Sequence, residues 1–108
     1  MAESPKDSIE KLKAKLKADP DTGKGIDAVY QFSISGEGGG EWWLDLTKSP
    51  AQIGEGAHGD AGCTIRMNAP DFVALLNRSA SPVMLYMSGK LKIEGDMNLA
   101  LKLQGLFG

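Results

Sequence analysis

The sequence predicts an α+β domain with a mainly antiparallel sheet of five strands. Three observations carry this. Apolar and polar residues alternate along several short runs, two of these runs flank a Gly-rich turn, and stretches of helical spacing lie before and after them. In order, the elements read as a helix, four strands, two helices, a strand and a last helix. Strands and helices grouped in this way, rather than strictly alternating, point to α+β. A length of 108 residues suits one domain spanning 1–108.

The first helix announces its own start. Ser4 is a suitable N-cap, Pro5 suits the first helical position, and Asp7 stands three residues after Ser4. Ile9, Leu12 and Leu16 then form a narrow apolar stripe among Lys11, Lys13, Lys15 and Lys17. Asp19-Pro20-Asp21-Thr22-Gly23 ends the pattern. In Asp27–Ser35 the period changes to two, with Ala28, Tyr30, Phe32 and Ile34 inward and Gln31, Ser33 and Ser35 outward. Gly36–Gly40 is the turn of a hairpin whose second strand, Glu41–Thr47, points Trp42, Leu44 and Leu46 one way and Trp43, Asp45 and Thr47 the other.

Ala51–Glu55 is a weaker third strand, with Ala51 and Ile53 inward. Cys63, Ile65 and Met67 mark a fourth. Asn68 as cap and Asp71 in the first turn start a helix that presents Phe72, Leu75 and Leu76 and stops around Asn77–Ser81. Ser81-Pro82 opens a short helix through Met87, which Gly89 breaks. Leu91 and Ile93 alternate with lysines in a fifth strand. After Gly95-Asp96 comes a helix that is apolar around most of its circumference, so it is expected to be buried on most sides or to lie against something greasy.

Composition removes several classes of function. Twelve basic and 14 acidic residues leave a net charge of −2 and a pI near 5.3, whereas nucleic-acid binders are usually basic, so no nucleic-acid partner is expected. The lone cysteine, Cys63, closes no internal disulfide and builds no Cys-rich metal site. It points to a reducing, intracellular setting. No run of apolar residues is long enough to span a membrane, and the charge-studded N-terminus lacks the apolar stretch of a signal peptide.

Enzymatic chemistry finds little support. His58, the only histidine, lies in a Gly-rich loop without companion ligands and is expected to be exposed. Cys63 falls on the inward face of a strand, where a thiol is a small hydrophobe rather than a nucleophile. Glu55 and Asp60 sit in a glycine-rich, solvated loop, and the Gly36–Gly40 turn joins two strands instead of preceding a helix as phosphate loops do. The lysines of the first helix suit a surface helix, with transient contact to an anionic membrane as the functional alternative. No cofactor, metal or catalytic residue is expected.

The last third carries a family likeness. Met84-Leu85-Tyr86-Met87-Ser88-Gly89-Lys90-Leu91-Lys92-Ile93-Glu94-Gly95-Asp96-Met97 resembles the Met-rich turn, Gly-Lys-Leu-Lys-Ile strand and Gly-Asp-Met helix start of sterol carrier protein 2-like (SCP2) domains. Leu99–Leu103 looks like the family's C-terminal helix. Glu41-Trp42-Trp43-Leu44-Asp45-Leu46 is similar to its Trp-x-x-Asp-Leu strand, and Asp71-Phe72 to its Asp-Phe helix start. The likeness runs from Asp7 to Phe107 in order. It implies helices packed on one face of the sheet, enclosing an apolar tunnel that holds one fatty acid, acyl-CoA, phospholipid or sterol.

On that resemblance the expected function is non-enzymatic lipid binding and transfer. Phe32, Ile34, Trp42, Leu44, Ile65, Met67 and Ile93 would form one wall of the tunnel. Phe72, Leu76, Met84, Met87, Leu99, Leu103 and Phe107 would form the other, with the last helix as gate. Arg66, Lys90 and Gln104 are candidates for a headgroup at the mouth. The Gly-Leu-Phe-Gly ending departs from the family's peroxisomal signal, which favours a cytoplasmic protein, a monomer or weak homodimer. The alternative is an interaction or dimerisation module docked to an enzyme of lipid metabolism.

Overall fold

A computed structural model describes residues 4–19, 26–48, 51–59, 61–77 and 79–107, the last five of these as backbone alone. The elements, in chain order, are α1 (Pro5–Ala18), β1 (Val29–Ser35), β2 (Gly40–Asp45), β3 (Gln52–Glu55), β4 (Cys63–Asn68), α2 (Ala69–Leu76), α3 (Pro82–Met87), β5 (Lys92–Gly95) and α4 (Met97–Phe107). The α+β class and the count of five strands stand as the sequence predicts. The sheet is mixed, in the order β3-β2-β1-β4-β5. Three of its neighbouring pairs are antiparallel, and the central pair, β1 with β4, is parallel. No helix among the described residues is long and apolar enough to cross a membrane.

Local chemistry sets the ends of the helices. Ser4 accepts a hydrogen bond from the Asp7 N–H at 3.2 Å while its own N–H donates to the Asp7 carboxylate at 3.3 Å, a complete capping box. Asn68 likewise accepts from the Asp71 N–H at 2.9 Å and starts α2 directly from the end of β4. α1 closes with Asp19 as its C-cap, and Pro20 to Gly23 lie outside the described residues.

One face of the sheet carries the core. Tyr30, Phe32, Leu44, Ile65 and Cys63 are 0–1% exposed, and the helices cover them with Ile9, Leu12 and Leu16 of α1 and with Phe72 and Leu75 of α2. The Phe72 ring sits 5.4 Å from Phe32 and 5.9 Å from Trp42, centroid to centroid, so strand and helix aromatics fill the centre of this layer.

The other face departs from the expectation of an open polar surface. Gln31 is buried and its side chain is fully used. Its amide donates to the Trp42 and Gly56 carbonyls at 3.1 and 3.0 Å, and its oxygen accepts from the His58 N–H at 2.8 Å. These bonds pull the segment after β3 over the start of β1. Trp43 then lies across its cross-strand partner Gly54, where a Cβ would fall 2.3 Å from the indole. His58 packs edge-on to Trp43 with centroids 5.1 Å apart, so it is half-buried rather than an exposed loop residue. Replacing Gln31 by leucine should destabilise the fold by about 2 kcal/mol, because buried backbone groups lose their partners. Hydrogen exchange should show the His58 amide opening faster; unchanged protection would show that the segment is held by other means.

β2 ends two residues earlier than the alternation predicts. Leu46 still donates to the Ala28 carbonyl at 2.9 Å, and beyond it the Asp45 carboxylate accepts from the Thr47 N–H at 2.8 Å and from the Thr47 hydroxyl, which turns the chain away from β1.

Candidate functional site

The free space that matters lies at the β5 side of the helical face. Ile65 of β4 and Ile93 of β5 are cross-strand partners and form its floor. Pro82, Val83 and Tyr86 of α3, with Leu91, make one wall, and Met97, Ala100 and Leu101 of α4 make the other. The cavity holds about 150 Å³, and apart from the Tyr86 hydroxyl its side chains carry no polar atom. Leu101 at its rim is 63% exposed, and Met84 and Met87, which do not line it, are 66% and 76% exposed. The described part of α4 is therefore not enclosed on most sides.

α4 is held at its first turns. Gly95 has a φ of +102°, and a Cβ there would come within 2.6 Å of the Gly62 carbonyl, so only glycine lets the chain leave β5 at this angle. The Asp96 N–H donates to the Gly62 carbonyl at 3.2 Å, and the Asp96 carboxylate accepts from the Asn98 N–H at 2.8 Å. One turn on, the buried Tyr30 hydroxyl donates to the Leu99 carbonyl at 2.5 Å. Burial, with Cys63 and Asp96 nearby, pushes the Tyr30 phenol up to about 12. Burial and Asp96 push the Cys63 thiol up to about 11, so it stays protonated at neutral pH.

These two groups make the fold sensitive to alkali. Both have folded pKa values above their unfolded ones, so their contribution is complete below about pH 9 and is lost as pH rises towards 12. The Tyr30 part is on the order of 2 kcal/mol. Melting temperature should fall steeply between pH 9 and pH 11, and Tyr30→Phe should flatten the upper part of that fall. An equal slope in the variant would place the alkaline transition elsewhere.

On the far side of Leu99 lies a wider, polar cleft bounded by Asp27, Asp45, Thr47, Lys48 and His58. Burial would raise the Asp45 pKa, but its bonds from Thr47, together with Lys48 and His58, outweigh this and hold the carboxyl below its ordinary value. Among the described residues no group of three His, Cys, Asp or Glu side chains is placed to hold a metal.

The residues singled out from sequence fall into distinct places. Ile65 and Ile93 line the cavity. Phe32, Trp42, Leu44 and Phe72 lie in the packed centre, and Ile34, Met67 and the half-buried Leu76 pack around it. Leu99 faces Gly62 and the polar cleft. Met84 and Met87 point outward. The side chains of Leu103, Gln104 and Phe107 lie outside the described residues, as does Asp60. Arg66 pairs with Glu94 at 2.5 Å and donates to the Ser33 hydroxyl at 3.2 Å, across the sheet from the cavity, while Lys90 is exposed after α3. Pro82, Val83, Tyr86, Leu91, Met97, Ala100 and Leu101 line the cavity and were not among the predicted wall. Their only sequence signal is the density of apolar residues on α3 and α4.

Residues 9–108 match the SCP-2 sterol transfer family. The chain belongs to that family. An SCP-2 domain is a lipid-binding and lipid-transfer module at the level of its family. The fold agrees: the solution structure of palmitated SCP2L2 from Aedes aegypti superposes with a TM-score of 0.81 at 25% identity, over 97% of this chain and 95% of that one. Apo sterol carrier protein 2 from Yarrowia lipolytica shares the fold with a TM-score of 0.74 at 24% identity, over 89% of this chain and 90% of that one. Hydroxysteroid dehydrogenase-like protein 2 from Bos taurus is 48% identical over 84 residues, 77% of this chain but 20% of its own length. The chain thus spans about a fifth of the curated relatives it matches.

Proposed function

We propose that this SCP-2 domain is a non-enzymatic cytoplasmic carrier. It holds one fatty acid, acyl-CoA, phospholipid or sterol by its apolar part between the sheet and α3–α4. The observation that carries this is the apolar cavity of about 150 Å³ on Ile65 and Ile93, with the exposed Met97 and Leu101 at its rim. The palmitated relative from Aedes aegypti supports an acyl chain as cargo. The protonated Cys63 thiol supports a role without covalent chemistry.

Magnitudes decide how such a site works. A void of about 150 Å³ is benzene-sized, room for roughly six carbons. Six buried methylenes contribute about 5 kcal/mol, which association costs of about 4–15 kcal/mol can cancel entirely. Sixteen contribute about 13 kcal/mol, which reaches the roughly 8 kcal/mol of micromolar binding when those costs lie near the lower end of their range. A long acyl chain therefore binds by displacing α4 from the sheet and enlarging the cavity. Native mass spectrometry of the purified protein tests the reading. A monomer carrying a few hundred daltons of extractable lipid is expected. A lipid-free dimer that takes up no fluorescent fatty acid would overturn it and favour an interaction module.

A further inference from the structure

The two edges of the sheet differ. At one, β3 lies beside α1, whose Lys13 and Lys17 share a cleft with Gln52 and Ile53. At the other, β5 pairs with β4 alone, and Lys92, Glu94 and Gly95 are exposed. The exposed large apolar side chains among the described residues also lie at this end, on α3 and α4: Met84, Tyr86, Met87, Met97 and Leu101. We propose that β5 pairs antiparallel with β5 of a second copy of this chain, about a two-fold axis at Ile93, joining two sheets into one.

Charge selects both the occupant and the register. Side chains directly opposite in such a pair share a face, so the axis must pass through a residue rather than between two. Centred on Ile93, the pairing sets Lys92 opposite the partner's Glu94, and Glu94 opposite the partner's Lys92. A slip of one residue along either strand centres it on Lys92 or Glu94 and sets like charges face to face. Beyond the ladder, the exposed Lys90 and Asp96 continue the same order of two cations and then two acids, which the axis brings head to tail. The β3 edge, Gln52-Ile53-Gly54-Glu55, has no such self-complementary pattern.

The single chain leaves the pattern unbalanced. Arg66 stands cross-strand from Lys92 and takes Glu94 for itself at 2.5 Å. Lys92 therefore has a like charge beside it and no ion pair among the described residues. A lysine on an edge ordinarily keeps strands apart, but a second copy supplies this one with a carboxylate. β5 has only four residues, so the ladder is short and the interface falls below the roughly 1,200 Å² of standard ones. The dimer is accordingly weak, with a dissociation constant on the order of 100 μM, and at low micromolar concentration the protein is a monomer. The pairing needs no cargo and stands apart from the carrier reading.

Sedimentation equilibrium from about 10 μM to about 1 mM tests it. The unaltered protein should pass from monomer to dimer across that range. Lys92→Glu and Glu94→Lys, both at exposed positions, should each weaken association by roughly tenfold or more with an unchanged circular dichroism spectrum. An equimolar mixture of these two variants should associate again, since every glutamate then faces a lysine. Lys92→Glu/Glu94→Lys in one chain should dimerise like the unaltered protein, with Arg66 still beside a carboxylate. A monomer at every concentration overturns the proposal, as does a mixture that stays monomeric. So does a dimer that survives both single reversals but is lost on Met84→Glu/Met87→Glu, which would place the contact on α3.

Discussion

Phe72→Ala should cost about 3–5 kcal/mol, a large share of the roughly 5–15 kcal/mol that holds a domain of this kind together. Phe72 is fully buried and is the point where helix and sheet aromatics meet, tilted against Phe32 and stacked on Trp42. Truncation leaves a hole bounded by two β-strand rings and the underside of α2. None of these can close it without breaking strand register. Urea denaturation should show a midpoint shifted strongly down at unchanged slope. A loss below about 1 kcal/mol would mean that the core relaxes, and that the centre of this layer is less rigid than its ring geometry suggests.

Filling the cavity should have the largest effect on binding. Ala100 lines it from α4, opposite the Ile65–Ile93 floor. Ala100→Trp places an indole where the first carbons of an acyl chain would lie, and it packs against apolar neighbours instead of leaving a void. Affinity for a fluorescent fatty acid should fall by roughly thirtyfold or more, equivalent to about 2 kcal/mol. Folding should be unharmed by circular dichroism. Asn98→Trp, on the solvent side of the same helix, is the control and should leave affinity within about twofold. Undiminished affinity in Ala100→Trp would move the cargo out of this cavity.

What was legible in the sequence follows from how local each signal is. Ser4 with Asp7 and Asn68 with Asp71 declare helix starts within four residues, and both caps form as read. The alternation around Gly36–Gly40 places the β1–β2 hairpin, and its register brings Phe32 opposite Trp42. The parallel pairing of β1 with β4 was not legible, since it joins distant segments through no local rule. Gln31 read as an outward polar residue because alternation cannot show that a later loop will cover that face.

The site was half legible. Density of apolar residues pointed to α3 and α4, yet on α3 it suggested Met84 and Met87. The cavity instead takes Val83 and Tyr86, one position back and about 100° around the helix. In a six-residue helix with almost no polar side chain, nothing in the pattern says which flank turns inward. That choice is made by Pro82 and Leu85 anchoring in the core. On α4 the same ambiguity hides Met97 and Leu101 among equally apolar neighbours.

The central parallel pair also shapes how the molecule can be assembled. The strand with the most buried residues, β1, sits beside β2 from its own half of the chain and beside β4 from the other. No contiguous fragment ending before Cys63 can complete the sheet. As the chain emerges from a ribosome, the three-stranded meander is available early with one backbone edge of β1 unpaired, and strands left in that state invite pairing between chains. Synthesis pauses ahead of β4 would then be the interval of greatest aggregation risk, and an added peptide spanning Cys63–Asn68 is the natural competitor for that edge.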